Sequence, residues 1–204
     1  LLLASRGADI IFAQDPVSVG LPAMVAAKLF RRRFLLKIVG DYAWEQGVMR
    51  FGVKEVLDDF LARRYGWRLE LLRRIERAVA RRADRIIVPS RYLLGVVMQW
   101  GVAREKIEII HNAFLRPSSP VTKEEAREHF GIPHDAFIIV SAGRLVAWKG
   151  FQLLIEVMPK IKLEVPCAKL VIIGSGPEEM ALCNAITTTG LTAAVTLRGD
   201  MPHD

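Results

Sequence analysis

Short runs of β-branched and other apolar residues alternate with helical stretches along the whole chain, and this alternation leaves few folds open. One clear helix starts near Leu69, with apolar residues along one stripe and arginines opposite. Strands separated by helices predict parallel sheets, and near-continuous apolar strands predict that helices cover both faces. The predicted strands are Asp9–Ala13, Phe34–Val39, Ile86–Val88, Ile107–Ile110, Phe137–Val140, Lys169–Ile173 and Ala194–Leu197.

A polar connector with a proline at each end, Pro117–Pro120, separates two series of strands and helices. We therefore predict two α/β domains, residues 1–116 and residues 117–204. Thr122 with Glu125 three residues later is a capping-box spacing, which predicts a helix start just after the connector. Residues 41–62 are less regular, and no helix is predicted there apart from a possible helix turn after Asp41. The chain begins with Leu1 inside a helix-like run and stops at Asp204 after a strand, so we expect an internal piece of a longer protein.

The basic excess is confined to the first half of the chain. Residues 1–112 hold 20 Lys and Arg against 12 Asp and Glu, mainly in Arg31–Arg33 and in the stretch from Arg63 to Arg85. Such a face attracts a membrane surface or nucleic acid, and a solvated helix face is the alternative. No run approaches the ~20 apolar residues that span a bilayer. The two cysteines show neither metal nor disulfide spacing, which favours a reducing, cytoplasmic setting.

Ligands of open parallel sheets bind beyond the carboxyl ends of the strands, and several predicted strands end in glycine or polar residues. After the strand at Phe137–Val140 come Gly143 and Arg144, and Lys149 follows one loop later. Two cations beside a helix start suit a diphosphate, although surface charges are the plain alternative. The other candidate strand-end residues are Asp41, Ser90, Asn112, Gly174 and Gly176.

Three further patterns are weaker. Gly174-Ser175-Gly176 lacks the third glycine of a dinucleotide fingerprint, because Glu179 takes its place. Asp41 with Glu45 suits a polar corner for a sugar, or Asp41 simply caps a helix. Ser90 has no histidine near it in sequence, which argues against a nucleophile. The four histidines show no metal-ligand spacing, so we expect no metal site.

An ordered set of segments resembles the group 1 (family 4) glycosyltransferases of GT-B architecture, which have two doubly wound Rossmann-like domains. The likeness covers nearly the whole chain and is strongest over residues 83–200. Its segments are Ala83–Ser90, Gly101–Ile107, Ile110–Asn112, Ile139–Leu145 with Lys149-Gly150, Leu170–Glu178 and Val195–Gly199.

The resemblance implies a retaining transferase that moves a sugar from a UDP- or GDP-linked donor to a glycan or lipid-linked acceptor. Arg144 and Lys149 would hold the donor diphosphate, Gly143 would allow its close approach, and Ser90, Asn112, Gly174 and Gly176 would lie in the cleft. No cofactor or metal is implied. The expected location is cytoplasmic, at the inner face of the membrane where an anionic surface attracts the basic half. Nucleic acid is not an expected partner.

The sequence departs from the family pattern at three places. A glycine-rich loop would precede Leu1, and an acidic pair would follow Asp204, so we expect this piece alone to be inactive. Gly40-Asp41 stands where many relatives have a histidine, and Asp41 is our candidate catalytic residue in its place. Two alternatives stay open: a GT-B-like sugar-nucleotide epimerase or phosphorylase, and a non-catalytic basic module that binds membranes.

Overall fold

The alternation of strands and helices persists in a computed structural model, which describes residues 7–113 and 121–201. The chain divides into two compact units, Leu1–Phe114 and Leu115–Asp204. The predicted boundary, between residues 116 and 117, lies outside the described residues. Each unit holds a parallel sheet with helices in the connections, as expected for part of a Rossmann-like domain.

The first unit contains a parallel sheet in which the strands lie in the order of the sequence. Its strands are β1 (Ile10–Ala13), β2 (Arg33–Lys37), β3 (Arg85–Val88) and β4 (Ile107–Ile109). Its helices are α1 (Gly20–Phe30), α2 (Tyr42–Arg50), α3 (Leu57–Ala62), α4 (Trp67–Arg82) and α5 (Arg91–Gln99), and a 3-10 turn covers Arg104–Lys106.

The prediction that both sheet faces are covered is wrong for the described part of this unit. Along β1 the side chains alternate, with Ile11 and Ala13 buried and Ile10 and Phe12 exposed. With strands in sequential order, right-handed crossovers place the connecting helices on one face of the sheet. The core therefore lies on that face, between the strands and α1, α4 and α5.

The less regular region, residues 41–62, is mostly helical. Helices α2 and α3 form a small second core around Ala43, Val53, Phe60 and Leu69. The Trp44 indole N–H donates to the Glu55 carbonyl at 2.9 Å, which joins α2 to the approach to α3. Short helices such as these depend on tertiary packing, which a local residue pattern does not contain.

The second unit is a smaller sheet of the same kind, again parallel and sequential in the described residues. Its elements are α6 (Lys123–His129), β5 (Phe137–Ala142), a 3-10 turn at Ala147–Lys149, α7 (Phe151–Glu164), β6 (Ala168–Ile173), α8 (Glu179–Thr188) and β7 (Val195–Leu197). Buried residues of α7, α8 and the strands form its core. The predicted capping box is confirmed, because Thr122 and Glu125 each accept a hydrogen bond from the other's backbone N–H.

Candidate functional site

Three loops at the carboxyl ends of β5, β6 and β7 are joined by backbone hydrogen bonds. The Leu145 N–H donates to the Ser175 carbonyl at 2.8 Å, and the Gly174 N–H donates to the Gly199 carbonyl at 2.7 Å. The Ser175 hydroxyl also donates to Asp200 Oδ2 at 2.7 Å. Because the strands are parallel, the loops that follow them lie at the same edge of the sheet. The hydrogen bonds between the loops hold the loops in position there.

Gly174 and Gly176 are glycines for a reason that the sequence did not reveal. A Cβ at Gly174 would lie 2.1 Å from the Gly143 carbonyl oxygen, and one at Gly176 would lie 2.3 Å from the Leu145 carbonyl oxygen. The absent side chains thus let the loop after β6 pack on the loop after β5. Their role as cleft residues stays a prediction, and their role in loop packing is a feature of the fold.

Arg144 and Lys149 lie on the segment after β5, which is anchored in the core of the second unit. Leu145 and Val146, between them, are buried in the unit, so the loop is anchored in the interior. Both cationic side chains are exposed, and neither makes a hydrogen bond or ion pair with any residue in the described ranges. Gly143 leaves space beside Arg144, because the nearest atom to an added Cβ there would be Phe151 Cζ at 3.6 Å.

The start of helix α7 lies directly after Lys149. Gly150 adopts a left-handed conformation at φ 73°, and the helix then begins at Phe151 with no side-chain cap and no acidic residue in its first turn. The first backbone N–H groups of such a helix carry partial positive charge and lack intrahelical acceptors. Backbone N–H groups of this kind and exposed cationic side chains are the donors that phosphate groups accept hydrogen bonds from.

The first unit offers a different set of strand-end residues. Ser90 caps α5, and its Oγ accepts from the Leu93 N–H at 3.2 Å. His111 Nδ1 lies 2.8 Å from the Pro89 carbonyl oxygen, to which it donates a hydrogen bond, since a carbonyl oxygen can only accept. Asn112 is exposed beside it. The sequence placed His111 with Asn112 at the end of a predicted strand, and we had named only Asn112 as a cleft residue.

Asp41, the candidate catalytic residue, is only 1% exposed and caps helix α2. Its Oδ1 accepts from the Trp44 N–H at 2.8 Å, which is the capping alternative described above. Glu45, by contrast, lies over Gly40 and lines a cavity of about 30 Å³ at the ends of β1 and β2. A catalytic role for Asp41 stays a prediction, and Glu45 is the acidic side chain nearer the strand-end surface.

A second buried carboxyl group, Glu76 on α4, lies beside Asp41. Its Oε2 accepts from the Ala43 N–H at 3.2 Å, and Oε1 is buried without a hydrogen-bond partner in the described residues. Burial raises the pKa of Glu76 well above its usual value, and the neighbouring Asp41 charge raises it further. Burial also raises the pKa of Asp41, while the Trp44 N–H and the charges of Arg73 and Arg77 lower it less.

Substituting glutamine for Glu76 is expected to flatten the pH dependence of stability. A raised folded pKa means that the stabilisation is complete below the usual value of 4.5 and is lost as pH rises through the folded pKa. At pH values above both the folded and the unfolded pKa, each unit of difference between the two lowers the free energy of unfolding by about 1.4 kcal/mol. Urea titrations from acid to mildly alkaline pH would show the variant more stable than wild type at the alkaline end. Exposed Glu105→Gln serves as control, and parallel curves for all three proteins would disprove the assignment.

A larger cavity, of about 1110 Å³, lies at the opposite edge of the first sheet, at the amino ends of the strands. Leu29, Phe34 and Arg82 are among its lining residues. Because parallel sheets bind ligands at their carboxyl ends, this cavity does not mark the candidate site.

Among the residues that the structure describes, no group of three or more His, Cys, Asp or Glu is placed to hold a metal ion. Nor does that part of the chain contain a helix long and apolar enough to cross a bilayer.

Comparison with known sequences identifies relatives of this chain. The D-inositol 3-phosphate glycosyltransferase 1 of Catenulispora acidiphila is 31% identical over 83 residues, which is 40% of this chain and 20% of that protein. The GPI3 subunit of phosphatidylinositol N-acetylglucosaminyltransferase from Saccharomyces cerevisiae is 25% identical over 126 residues, or 59% of this chain and 27% of that protein. This chain thus spans only a part of each relative.

A solved structure shares the fold at low identity. Anabaena HepE in complex with UDP-glucose superimposes with a TM-score of 0.75 at 20% identity, over 98% of this chain and 50% of HepE. The model of the glycosyl transferase 4-like domain matches residues 1–113, and that of glycosyl transferases group 1 matches residues 122–204. The chain therefore belongs to the group 1 (family 4) glycosyltransferases of GT-B fold.

Proposed function

We propose that this chain is the part of a glycosyltransferase that binds the diphosphate of a nucleotide sugar. The observation that carries the proposal is the pair Arg144 and Lys149, exposed and without partners in the described residues, beside the uncapped start of α7. Cationic side chains and free backbone N–H groups are the donors that phosphate oxygens require. The complex of HepE with UDP-glucose supports a UDP-linked sugar donor, and a GDP-linked donor has no comparable support.

The same groups stabilise the departure of the nucleotide. When the bond between the sugar C1 and the β-phosphate oxygen breaks, negative charge accumulates on the diphosphate. Arg144 and Lys149 neutralise that charge as it develops, which lowers the barrier more than it stabilises the bound donor. We propose that transfer proceeds with retention at C1 and without a metal ion. Product analysis by NMR settles the anomeric configuration and distinguishes transfer from epimerisation, which needs no acceptor.

The acceptor in this proposal is a growing glycan or a lipid-linked saccharide. The names of the two relatives support an acceptor that carries phosphate, since one acts on D-inositol 3-phosphate and the other on phosphatidylinositol. A lipid-linked acceptor would place the protein at the cytoplasmic face of a membrane. The basic excess of the first half of the chain supports contact with an anionic surface there.

Removing either cation is expected to weaken donor binding by about 10- to 100-fold, because a charge-assisted hydrogen bond contributes about 1.5–3 kcal/mol. Calorimetry with UDP-glucose would compare wild-type full-length protein with Arg144→Ala and Lys149→Ala. Lys160→Ala is a matched control, since it removes an exposed lysine from the other end of α7. Unchanged affinity in both site variants, or an equal loss in the control, would refute the diphosphate role.

A further inference from the structure

Two groups of basic residues in the first unit have different surroundings. At the amino edge of the sheet, the residues of the first group bind backbone carbonyl groups. Arg81 Nε donates to the Trp100 carbonyl at 2.7 Å, and Lys106 Nζ donates to the Ala83 carbonyl at 3.1 Å. These bonds satisfy carbonyl groups near the ends of α4 and α5, so this part of the charge excess stabilises the fold.

The second group surrounds the start of α4, and its side chains do not bind backbone carbonyl groups in the described residues. The side chains of Arg50, Arg64 and Arg68 are exposed and make no hydrogen bond or ion pair within the described ranges. Arg68 instead lies over the Trp67 ring, with its Cζ 5.4 Å from the ring centroid. Glu70, the nearest acidic residue along α4, is already paired with Arg73 at 3.0 Å. These arginines therefore present positive charge to the solvent.

Exposed apolar side chains lie among these arginines. Trp67 is 72% exposed, Leu71 is 48% exposed and Phe51 is 41% exposed. Trp67 and Leu71 are four residues apart and share the outer side of α4, whereas Leu69 and Glu76 face the interior. We refer to Arg50, Phe51, Trp67, Arg68 and Leu71 as the Trp67 surface.

The Trp67 surface contains a groove of about 340 Å³ whose lining includes no acidic residue. Tyr42 lines this groove and also the small cavity at the ends of β1 and β2. The groove therefore adjoins the carboxyl ends of β1 and β2. An exposed tryptophan contributes little to the core of the unit, so the stability of the fold does not account for its position.

We propose that the Trp67 surface docks the protein on an anionic lipid bilayer. Trp67, Phe51 and Leu71 enter the boundary between headgroups and acyl chains, where amphipathic aromatic rings are favoured. Arg50 and Arg68 then meet lipid phosphates, while their aliphatic stems stay in contact with the apolar side chains. The proposal deepens the membrane contact proposed above, and it places that contact at this surface rather than at Arg31–Arg33. It does not depend on sugar transfer.

The charge on the surface sets the expected strength of binding. Each basic residue at an anionic membrane contributes about 1 kcal/mol, so Arg50→Ala with Arg68→Ala should weaken binding by about 30-fold. Trp67→Ala should weaken it by about tenfold through lost apolar burial. The control is Lys28→Ala with Arg33→Ala, which removes the same charge from exposed positions at the opposite edge. That double variant should bind nearly as well as wild type.

Sedimentation of full-length protein with vesicles tests the proposal. We expect binding to phosphatidylcholine vesicles containing about 30% phosphatidylglycerol at low salt, little binding to pure phosphatidylcholine, and loss of binding near 1 M salt. Trp67 is 72% exposed, whereas Trp44 and Trp148 are half-buried and Trp100 is buried, so the difference in acrylamide quenching between wild type and Trp67→Ala reports on Trp67. Bound vesicles should reduce this quenching, and the Trp67→Ala variant should lack the change.

Several results would overturn the proposal. These are absence of binding to anionic vesicles at low salt, an equal loss in the Lys28 and Arg33 control, and unchanged quenching of Trp67 on bound vesicles. Weaker binding of the Arg50 and Arg68 variant to heparin but not to vesicles would make the surface a site for acidic saccharides instead. Calorimetry with UDP-glucose on the same variants separates the two proposals, because donor affinity should not change.

Discussion

Alanine at Gly174 is expected to destabilise the second unit by about 3 kcal/mol or more, and to abolish detectable donor binding. The new Cβ would lie 2.1 Å from the Gly143 carbonyl oxygen and 2.9 Å from its carbonyl carbon. Both are backbone atoms, so no side chain can rotate away. In addition, Gly174 has φ 136°, which an L side chain rarely adopts. The loop that carries Arg144 must therefore move.

A glycine elsewhere in the same unit separates the clash from the effect of conformation alone. Gly190 has φ 68° but open space around its missing side chain, so Gly190→Ala should cost only about 1 kcal/mol. Hydrogen exchange measured by mass spectrometry would locate the effect of Gly174→Ala at the amides of β5, β6 and their loops. Equal protection and equal UDP-glucose affinity in the two variants would show that the loops do not depend on this contact.

The parts of the structure that the sequence predicts well are those encoded by neighbouring residues. The strands β5 and β6 follow from their apolar runs, and the caps at Ser90 and Thr122 follow from residue type and spacing. The candidate diphosphate residues were found in the same way, since the carboxyl end of a strand is the place where parallel sheets bind ligands. Arg144 and Lys149 are exposed there, beside a helix start without a cap.

The parts that it predicts poorly depend on contacts between distant residues. Nothing near Gly174 in the sequence indicates that the Gly143 carbonyl will occupy the space of its side chain. The extent of helix α2 was not predicted beyond a possible cap at Asp41, because the position of the helix depends on a hydrogen bond from Trp44 to a loop eleven residues away. Asp41 fits both a catalytic and a capping hypothesis in sequence, and its hydrogen bond from the Trp44 N–H and its burial support the capping role.

In helix α4, the sequence likewise does not predict which charged residues are buried. Its pattern of apolar and basic residues predicts arginines on the solvent side, and Arg74 is indeed exposed. Arg73, however, is 4% exposed and Glu76 is fully buried. The aromatic residues Phe60 and Tyr65, which lie on other segments, cover Arg73 at 3.9 Å and 5.3 Å from its Cζ to the ring centroids. A helical period specifies which side of a helix a residue occupies, and the neighbouring segments decide whether that side is exposed.

Arg73 is for this reason the residue of the first unit with the largest expected effect on stability outside the apolar core. Its guanidinium group donates to the Arg63 carbonyl at 2.7 Å, to the Phe60 carbonyl and to Glu70 at 3.0 Å. It also lowers the pKa values of Asp41 and Glu76, which burial raises. Removing one member of such a buried group costs about 3–5 kcal/mol, because the remaining polar groups lose their partners.

We therefore expect Arg73→Ala to lower the free energy of unfolding of the first unit by about 3–5 kcal/mol. The loss should grow as the pH rises, since Asp41 and Glu76 then ionise without the compensating charge. Urea titration followed by tryptophan fluorescence measures it, because Trp44 and Trp100 lie in this unit. The adjacent, exposed Arg74→Ala is the matched control, with an expected change below about 0.5 kcal/mol. If the two variants unfold at the same urea concentration, Arg73 does not hold α3 and α4 together.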